Sequence, residues 1–275
     1  MFTFEKLENR YHLTGVLEFK QAVHIGSGES EDEIDSLFVC DHNKRHYIPG
    51  SSLRGALRST IERIVAAIDP AWSCGLDPES STPCPSGNQG RQKALEKKIS
   101  EGKTSESAIC KELEKDLCPT CKTFGCPFLS SRVRLADLYP LNNAKPKGNK
   151  RFGVAIDRDT ETVAKGLLFT YQVLEAGEKF DFELWAENMT DSNWGVLAIG
   201  LLELLAGNFW VGGKKSSSGL GQCLLVEKDL KLEYFDGAED LKKHLSQTPW
   251  PNRKSGPDVK KFLQSKVETL FNPTP

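Results

Sequence analysis

Residues 69–127 hold six of the chain's eight cysteines and almost no apolar periodicity. A stretch this long cannot stay a bare loop inside a compact domain, so something other than hydrophobic burial has to hold it. The cysteines supply the candidate. Cys118-Pro-Thr-Cys121 is a CxxC turn, which presents two of the four soft ligands that zinc takes in a tetrahedron. The other pair must come from the same segment, with Cys110 and Cys84 as the candidates and Cys74 in reserve. Cys126, between Gly125 and Pro127, reads as a packed residue, and Cys40 and Cys223 as core residues of apolar strands. A redox CxxC is disfavoured because no thioredoxin-like strand precedes it. Scattered free thiols are the alternative. Four protein ligands leave no open position for water, so a zinc here is structural.

The start MFTFEKLENR lacks the apolar stretch of a signal peptide, which makes the cytoplasm the expected compartment. Disulfides are rare there, and this again favours metal ligands or buried thiols. No apolar run reaches membrane-spanning length. The net charge of −2 and pI of about 6.3 argue against a bulk electrostatic nucleic-acid binder, though not against a locally basic groove.

The apolar pattern outlines the rest. Residues 11–25 read as a strand with Leu13, Leu17 and Phe19 on one face. Pro49 and Gly50 then punctuate a turn, and Ser51 or Ser52 can cap a helix carrying Leu53, Ala56, Leu57, Ile61, Ile64, Val65 and Ile68 at helical spacing. Arg54 and Arg58, four apart, share another face near its start. Exposed amides, small residues and two guanidiniums together suit a phosphate, and solvated arginines on an ordinary amphipathic helix are the bland alternative. Residues 130–140 read as a strand, and 141–166 as a polar, basic segment with Lys150, Arg151 and Arg158. LLFTYQVLEAG and KFDFELWAEN read as a β-hairpin, and 193–207 as a buried helix. The loop VGGKKSSSGLGQ follows, with Gly212, Gly213, Lys214, Lys215, Ser216 and Ser217. It is not a P-loop, because the GxxxxGK[ST] order is absent. Residues 229–275 read as a polar tail. This order predicts an α+β domain with helices on one face of an antiparallel sheet, the ferredoxin-like, RNA-recognition arrangement.

Five stretches in order, HIGSGESEDEIDSLFV, YIPGSSLRGALRS, CKTFG followed by SSRVRLADL, VAIDRDT, and GGKKSSSGLGQ, resemble the RAMP superfamily of CRISPR-associated proteins. The nearest likeness is the repeated backbone subunit of type III effector complexes. The cysteine segment and GVAIDRDTETVAKG look most like its III-D branch. The resemblance covers roughly residues 10–226. It implies a modified RNA-recognition fold over 1–228, with a zinc-bound insertion at 69–127, a β-hairpin thumb at 141–166 and a tail at 229–275. It further implies guide (CRISPR) RNA, complementary target RNA and other type III effector subunits as partners, with no membrane. Guide phosphates would be held by Ser51, Ser52, Arg54, Arg58, Arg151, Arg158 and the glycine-rich loop from Gly212 to Ser217. Base pairing would read the target, so binding by the protein is salt-dependent and sequence-independent.

In that family an aspartate in an "IDS" context supports metal-dependent cleavage of target RNA, and Ile34-Asp35-Ser36 matches it. Asp35, with Asp32 and Glu33 in reserve, would accept a proton or hold Mg²⁺ or another divalent cation. A splayed nucleotide brings its own 2′-OH in line with the phosphate. Three alternatives remain open: a scaffold without catalysis, a repeat-processing ribonuclease using His24, His42 or His46, and an unrelated zinc-stabilised domain.

Overall fold

Tyr11, Leu13, Leu17 and Phe19 alternate with more polar neighbours, and this period of two makes β1 (Asn9–Phe19) a strand with one buried face. In the computed structural model, which describes residues 6–31, 33–75, 84–102, 104–156, 159, 162–246 and 250–272, β1 is the centre of the molecule. One edge of β1 pairs along its length with β5 (Lys179–Glu187). The other edge is shared: β8 (Lys231–Asp236) takes its first half and β7 (Gln222–Leu225) its end. With β2 (Val133–Leu135) outside β5, and β6 (Phe209–Trp210) outside β7, the order is β2-β5-β1-β7-β6, all antiparallel. β9 (Asn252–Ser255) extends β8. The fold is mixed α and β with antiparallel sheets.

The apolar stripe of α1 (Gly50–Ile68) buries Leu53, Leu57, Ile61 and Val65 against the sheet, each worth about 1.5–3 kcal/mol. Beside it lies α5 (Asp191–Ala206), capped by Thr190 and Asn193 in a reciprocal box and buried along most of its length. Two glycines let α5 sit between neighbours: a Cβ on Gly200 would press on Ile61 and Leu57, and one on Gly195 would meet Leu270 and the carbonyl of Lys266.

That last contact belongs to α7 (Pro257–Phe271), whose Val259 and Leu263 enter the main core. Residues 229–275 are therefore not a tail beyond the domain. They supply two strands, α6 (Ala238–Ser246) and α7 to it. The expected hairpin of 167–177 with 179–188 does not form either. β4 (Val163–Val173) pairs with β3 (Asn149–Ile156) in a separate two-stranded sheet, while β5 crosses to β1. Both strands carry the hairpin pattern, but Phe180, Phe182, Leu184 and Ala186 find their burial against β1. The strand expected over 11–25 ends at Phe19, and beyond it Val23 makes a single bridge to Leu174.

The segment 69–127 has a core of its own. α2 (Gln89–Ser100), α3 (Glu106–Asp116) and the short α4 (Pro119–Phe124) surround Leu95, Ile109, Leu113, Leu117, Phe128 and Leu129 together with four cysteines. Among the described residues no helix is long and apolar enough to cross a membrane.

Candidate functional site

α1 has Pro49 at its N-cap and no side-chain cap of its own. Asp137, entering from the strand side, accepts the Gly50 N–H at 2.8 Å in place of a serine. Ser51 and Ser52 are thus not caps. With Gly55, Ser59, Thr60 and Arg63 they line one wall of a groove of about 830 Å³. The facing wall is Trp210, Gly212, Gly213, Ser216 and Ser217. Gly212 and Gly213 take positive φ of 119° and 58°, and the missing side chain of Gly212 lets the loop lie against the carbonyl of His24. Ser216 Oγ donates to the Gly213 carbonyl at 2.7 Å and tightens the turn. The two small-residue bends singled out in the sequence therefore face each other across one groove. Among the described residues its one charged lining residue is Arg63, an exposed cation with no ion pair there.

Arg54 and Arg58, expected beside the serines at a phosphate, do not line this groove, and their guanidiniums are engaged elsewhere. The Arg54 guanidinium donates to the Phe124 carbonyl and to Ser131 Oγ. Arg58 donates to Glu62 at 2.8 Å, to the Gly125 carbonyl at 2.9 Å and to Cys121 Sγ at 3.5 Å. Unpaired carbonyls at the end of α4 are acceptors that draw both cations off the groove. The two arginines instead bolt the cysteine segment to α1. Arg151 lines a second hollow of about 500 Å³, next to Trp210, and pairs with Glu175 at 2.9 Å. Arg158 and Asp32 lie outside the described residues, as do the side chains of Lys214 and Lys215.

Asp35 is exposed and strapped to the β3–β4 hairpin. The Thr170 N–H donates to its Oδ2 at 2.6 Å, the Thr170 hydroxyl lies 2.9 Å from the same oxygen, and the Asp35 N–H donates back to that hydroxyl at 3.0 Å. The Thr170 amide, then its hydroxyl, holds the Asp35 carboxyl below the usual carboxylate range. Both bonds fall on Oδ2. Glu33 sits 3.6 Å from Lys150 Nζ on β3. His24 is buried. Its Nδ1 lies 2.6 Å from the Gln172 carbonyl and must donate, so Nε2 accepts from Ser36 Oγ at 3.2 Å. A ring with both nitrogens engaged is a packed residue, not an open general base. His46 likewise bonds the Pro146 carbonyl, at 3.1 Å.

Cys74, Cys84, Cys118 and Cys121 are buried, with their sulfurs all within 4.8 Å of one another. A tetrahedron with ~2.3 Å metal–sulfur arms puts its sulfurs about 3.8 Å apart, so this cluster fits a metal such as zinc. Cys110 is not among the four, and the reserve Cys74 takes its place. The reason is helical phase: α3 turns Ile109 and Leu113 into the small core, and Cys110 follows Ile109 by about 100°. Hydrogen bonds from Cys118, Cys121 and Cys74 hold the Cys84 thiol far below its ordinary value, while those with Cys118, Cys74 and Cys84, and burial, push Cys121 up. Four thiolates this close need a cation before all can ionise. Cys223 is buried as expected, and Cys40 is exposed, contrary to expectation.

Residues 16–223 match the family model of the RAMP superfamily. The chain belongs to that superfamily. A RAMP relative from Methanocaldococcus jannaschii, the CRISPR system Cms endoribonuclease Csm3, is 27% identical over 259 residues, covering 86% of this chain and 88% of its own. The family match takes in the groove, the acidic loop and the cysteine cluster of this RAMP protein and stops before β8. Arg63 and Trp210 are among the groove residues missed from the sequence, with Gly26, Gly55, Ser59 and Thr60. Arg63 had a readable signal, since Ser51, Gly55, Ser59 and Arg63 continue one row at intervals of four. Trp210 had only the alternation that buries Phe209 and turns its neighbour out.

Proposed function

We propose that this RAMP protein is a backbone subunit of a type III CRISPR effector complex, holding guide RNA in the groove between α1 and the glycine-rich loop. The path β1-α1-β2-β5-α5-β7, with sheet order β2-β5-β1-β7, supports reading its centre as the ferredoxin-like, RNA-recognition arrangement. The β3–β4 hairpin, with Phe152, Val154 and Leu168 exposed, supports its reading as the thumb that kinks the guide–target duplex. The Methanocaldococcus relative's name supports guide RNA, complementary target RNA and neighbouring effector subunits as partners.

The observation that carries this reading is the groove itself. Among the described residues serines, glycines, Thr60, Trp210 and one cation, Arg63, line it with Ile25 and Ala56, and no carboxylate does. That chemistry suits a phosphodiester backbone and no particular base, and it resolves the mismatch between RNA binding and a net charge of −2: the cation is local.

The same subunit cleaves paired target RNA at Asp35. RNA carries its own nucleophile, and a kinked nucleotide places the 2′-OH in line with its phosphate. Asp35 is exposed and both Thr170 bonds fall on Oδ2, so Oδ1 would accept a proton or hold a cation. Among the described residues only the cysteines gather as a metal-ligating group. A divalent ion at Asp35 would therefore take its other oxygens from phosphate and water, as Mg²⁺ does. Such an ion, when bound, neutralises charge developing on the phosphate. Zinc at Cys74, Cys84, Cys118 and Cys121 is structural.

The bonds from Thr170 to Oδ2 favour a second reading, in which Asp35 is only a strap and the subunit a non-catalytic scaffold. One preparation separates the two. The complex containing this chain should co-purify with repeat-derived guides, and Asp35→Ala should abolish a regularly spaced cleavage ladder while leaving assembly intact. Undiminished cleavage by the assembled variant removes Asp35 from the chemistry. Absence of guide RNA removes the whole reading.

A further inference from the structure

Trp210 lines both the groove of about 830 Å³ and the hollow of about 500 Å³ that contains Arg151. It is the shared wall of the two cavities. Its position follows from β6, where Phe209 turns into the core and Trp210 turns out, with 45% of its surface exposed. The chain's other four tryptophans are buried or half-buried. The indole makes no hydrogen bond and no ring contact among the described residues. A large flat aromatic without a partner, set between two polar hollows, is not explained by packing.

The charges flank it. Arg63 stands in the first cavity; in the second, Arg151 is paired with Glu175 at 2.9 Å and would exchange that carboxylate for a phosphate, with Trp210 lining both. A strand whose phosphates are neutralised by the two cations would have to cross the indole, and what it carries at that point is a base. Every base has a π-face, so stacking on tryptophan is strong and indifferent to sequence. This suits a groove with no base-specific hydrogen-bonding set.

We propose that Trp210 is a base-stacking ridge: one nucleotide of the bound RNA is unstacked from its neighbour and laid on the indole, while its flanking phosphates lie in the two cavities. The inference rests on the groove being an RNA groove, and it adds that the groove continues past Trp210 to Arg151.

The test uses the full chain and a single-stranded oligouridylate in a salt titration. Stacking contributes about 1–3 kcal/mol per base, so Trp210→Ala should weaken binding roughly 5- to 150-fold, and Trp210→Phe should recover most of it. Because no phosphate contact is lost, the slope of log affinity against log salt should match the wild type. Arg63→Ala should instead make that slope shallower by about 0.7. RNA should also quench the emission of the one exposed tryptophan, and Trp210→Phe should remove that quenching. Wild-type affinity in Trp210→Ala, with Arg63→Ala impaired, overturns the ridge and leaves the RNA groove standing. Loss of self-association in Trp210→Ala at unchanged RNA affinity also overturns it, and makes the indole a protein contact. No RNA binding by the wild type overturns both readings.

Discussion

Replacing Gly221 with alanine should destabilise this protein far more than the same change at Gly219, although the two backbones have φ of 83° and 82°. In that left-handed region any side chain costs about 1–2 kcal/mol, and this part is common to both. What differs is space. A Cβ on Gly219 meets nothing within 4 Å. A Cβ on Gly221 would overlap the carbonyl oxygen of Val211 and lie 2.9 Å from its carbonyl carbon. Neither partner can yield freely. The Val211 N–H donates to the Gly221 carbonyl at 3.0 Å, the Gly221 N–H donates to Ala22 at 2.7 Å, and Val211 is buried. Opening that strap leaves at least one buried backbone group unsatisfied, which costs a further ~1–3 kcal/mol. The expected losses are about 1–2 kcal/mol for Gly219→Ala and about 2–5 kcal/mol for Gly221→Ala. Urea unfolding reads the difference directly if both variants keep the wild-type m-value. Equal losses would refute the account, because they would mean that conformation rather than crowding sets the cost. The loop at stake is one wall of the groove, so Gly221→Ala should weaken RNA binding as well.

Two further outcomes follow from the cysteine cluster and the acidic loop. Metal analysis should find one zinc per chain, lost in Cys74→Ser and kept in Cys110→Ser. Structural zinc contributes on the order of 10 kcal/mol to small domains, so its loss should open the segment around α2 and α3 to hydrogen exchange while β1 stays protected. Asp35 should titrate below the ordinary carboxylate range in a carboxyl NMR experiment, and Thr170→Val should move it back up. A depressed carboxyl stabilises the folded state fully above its unfolded pKa and ceases to as pH falls through the folded one, so the strap to the hairpin should loosen only in acid. A normal titration in the wild type would show that the Thr170 bonds do not hold in solution.

Much of the site was legible because it is built from local signals. Pro49-Gly50 before a run of small residues announces a helix start, and a helix with its apolar stripe at Leu53, Leu57, Ile61 and Val65 must turn Ser51, Gly55 and Ser59 elsewhere. The glycines of 212–221 announce a left-handed turn. Period and backbone preference act within a few residues, so a window of sequence contains them. CxxC likewise marks half of a metal site by its own geometry.

The remainder depended on partners far along the chain. Arg54 and Arg58 carry the same charge wherever they point, and only the placing of α4 puts the Phe124 and Gly125 carbonyls within their reach. Cys74 and Cys110 are equal as ligands, and the phase of α3 chose between them. β4 and β5 alternate alike, yet β3 captured one and β1 the other. Residues 229–275 read as a tail because their apolar positions are sparse, and they became part of the domain once the open half of one edge of β1 offered β8 a ladder. Sequence by itself determined which segments bend, coil or bury a face, since those choices are made by each residue with its neighbours. Which surfaces then meet was decided by the closing of the whole chain, because hydrogen bonds and buried area between distant segments exist only after the chain has brought them together.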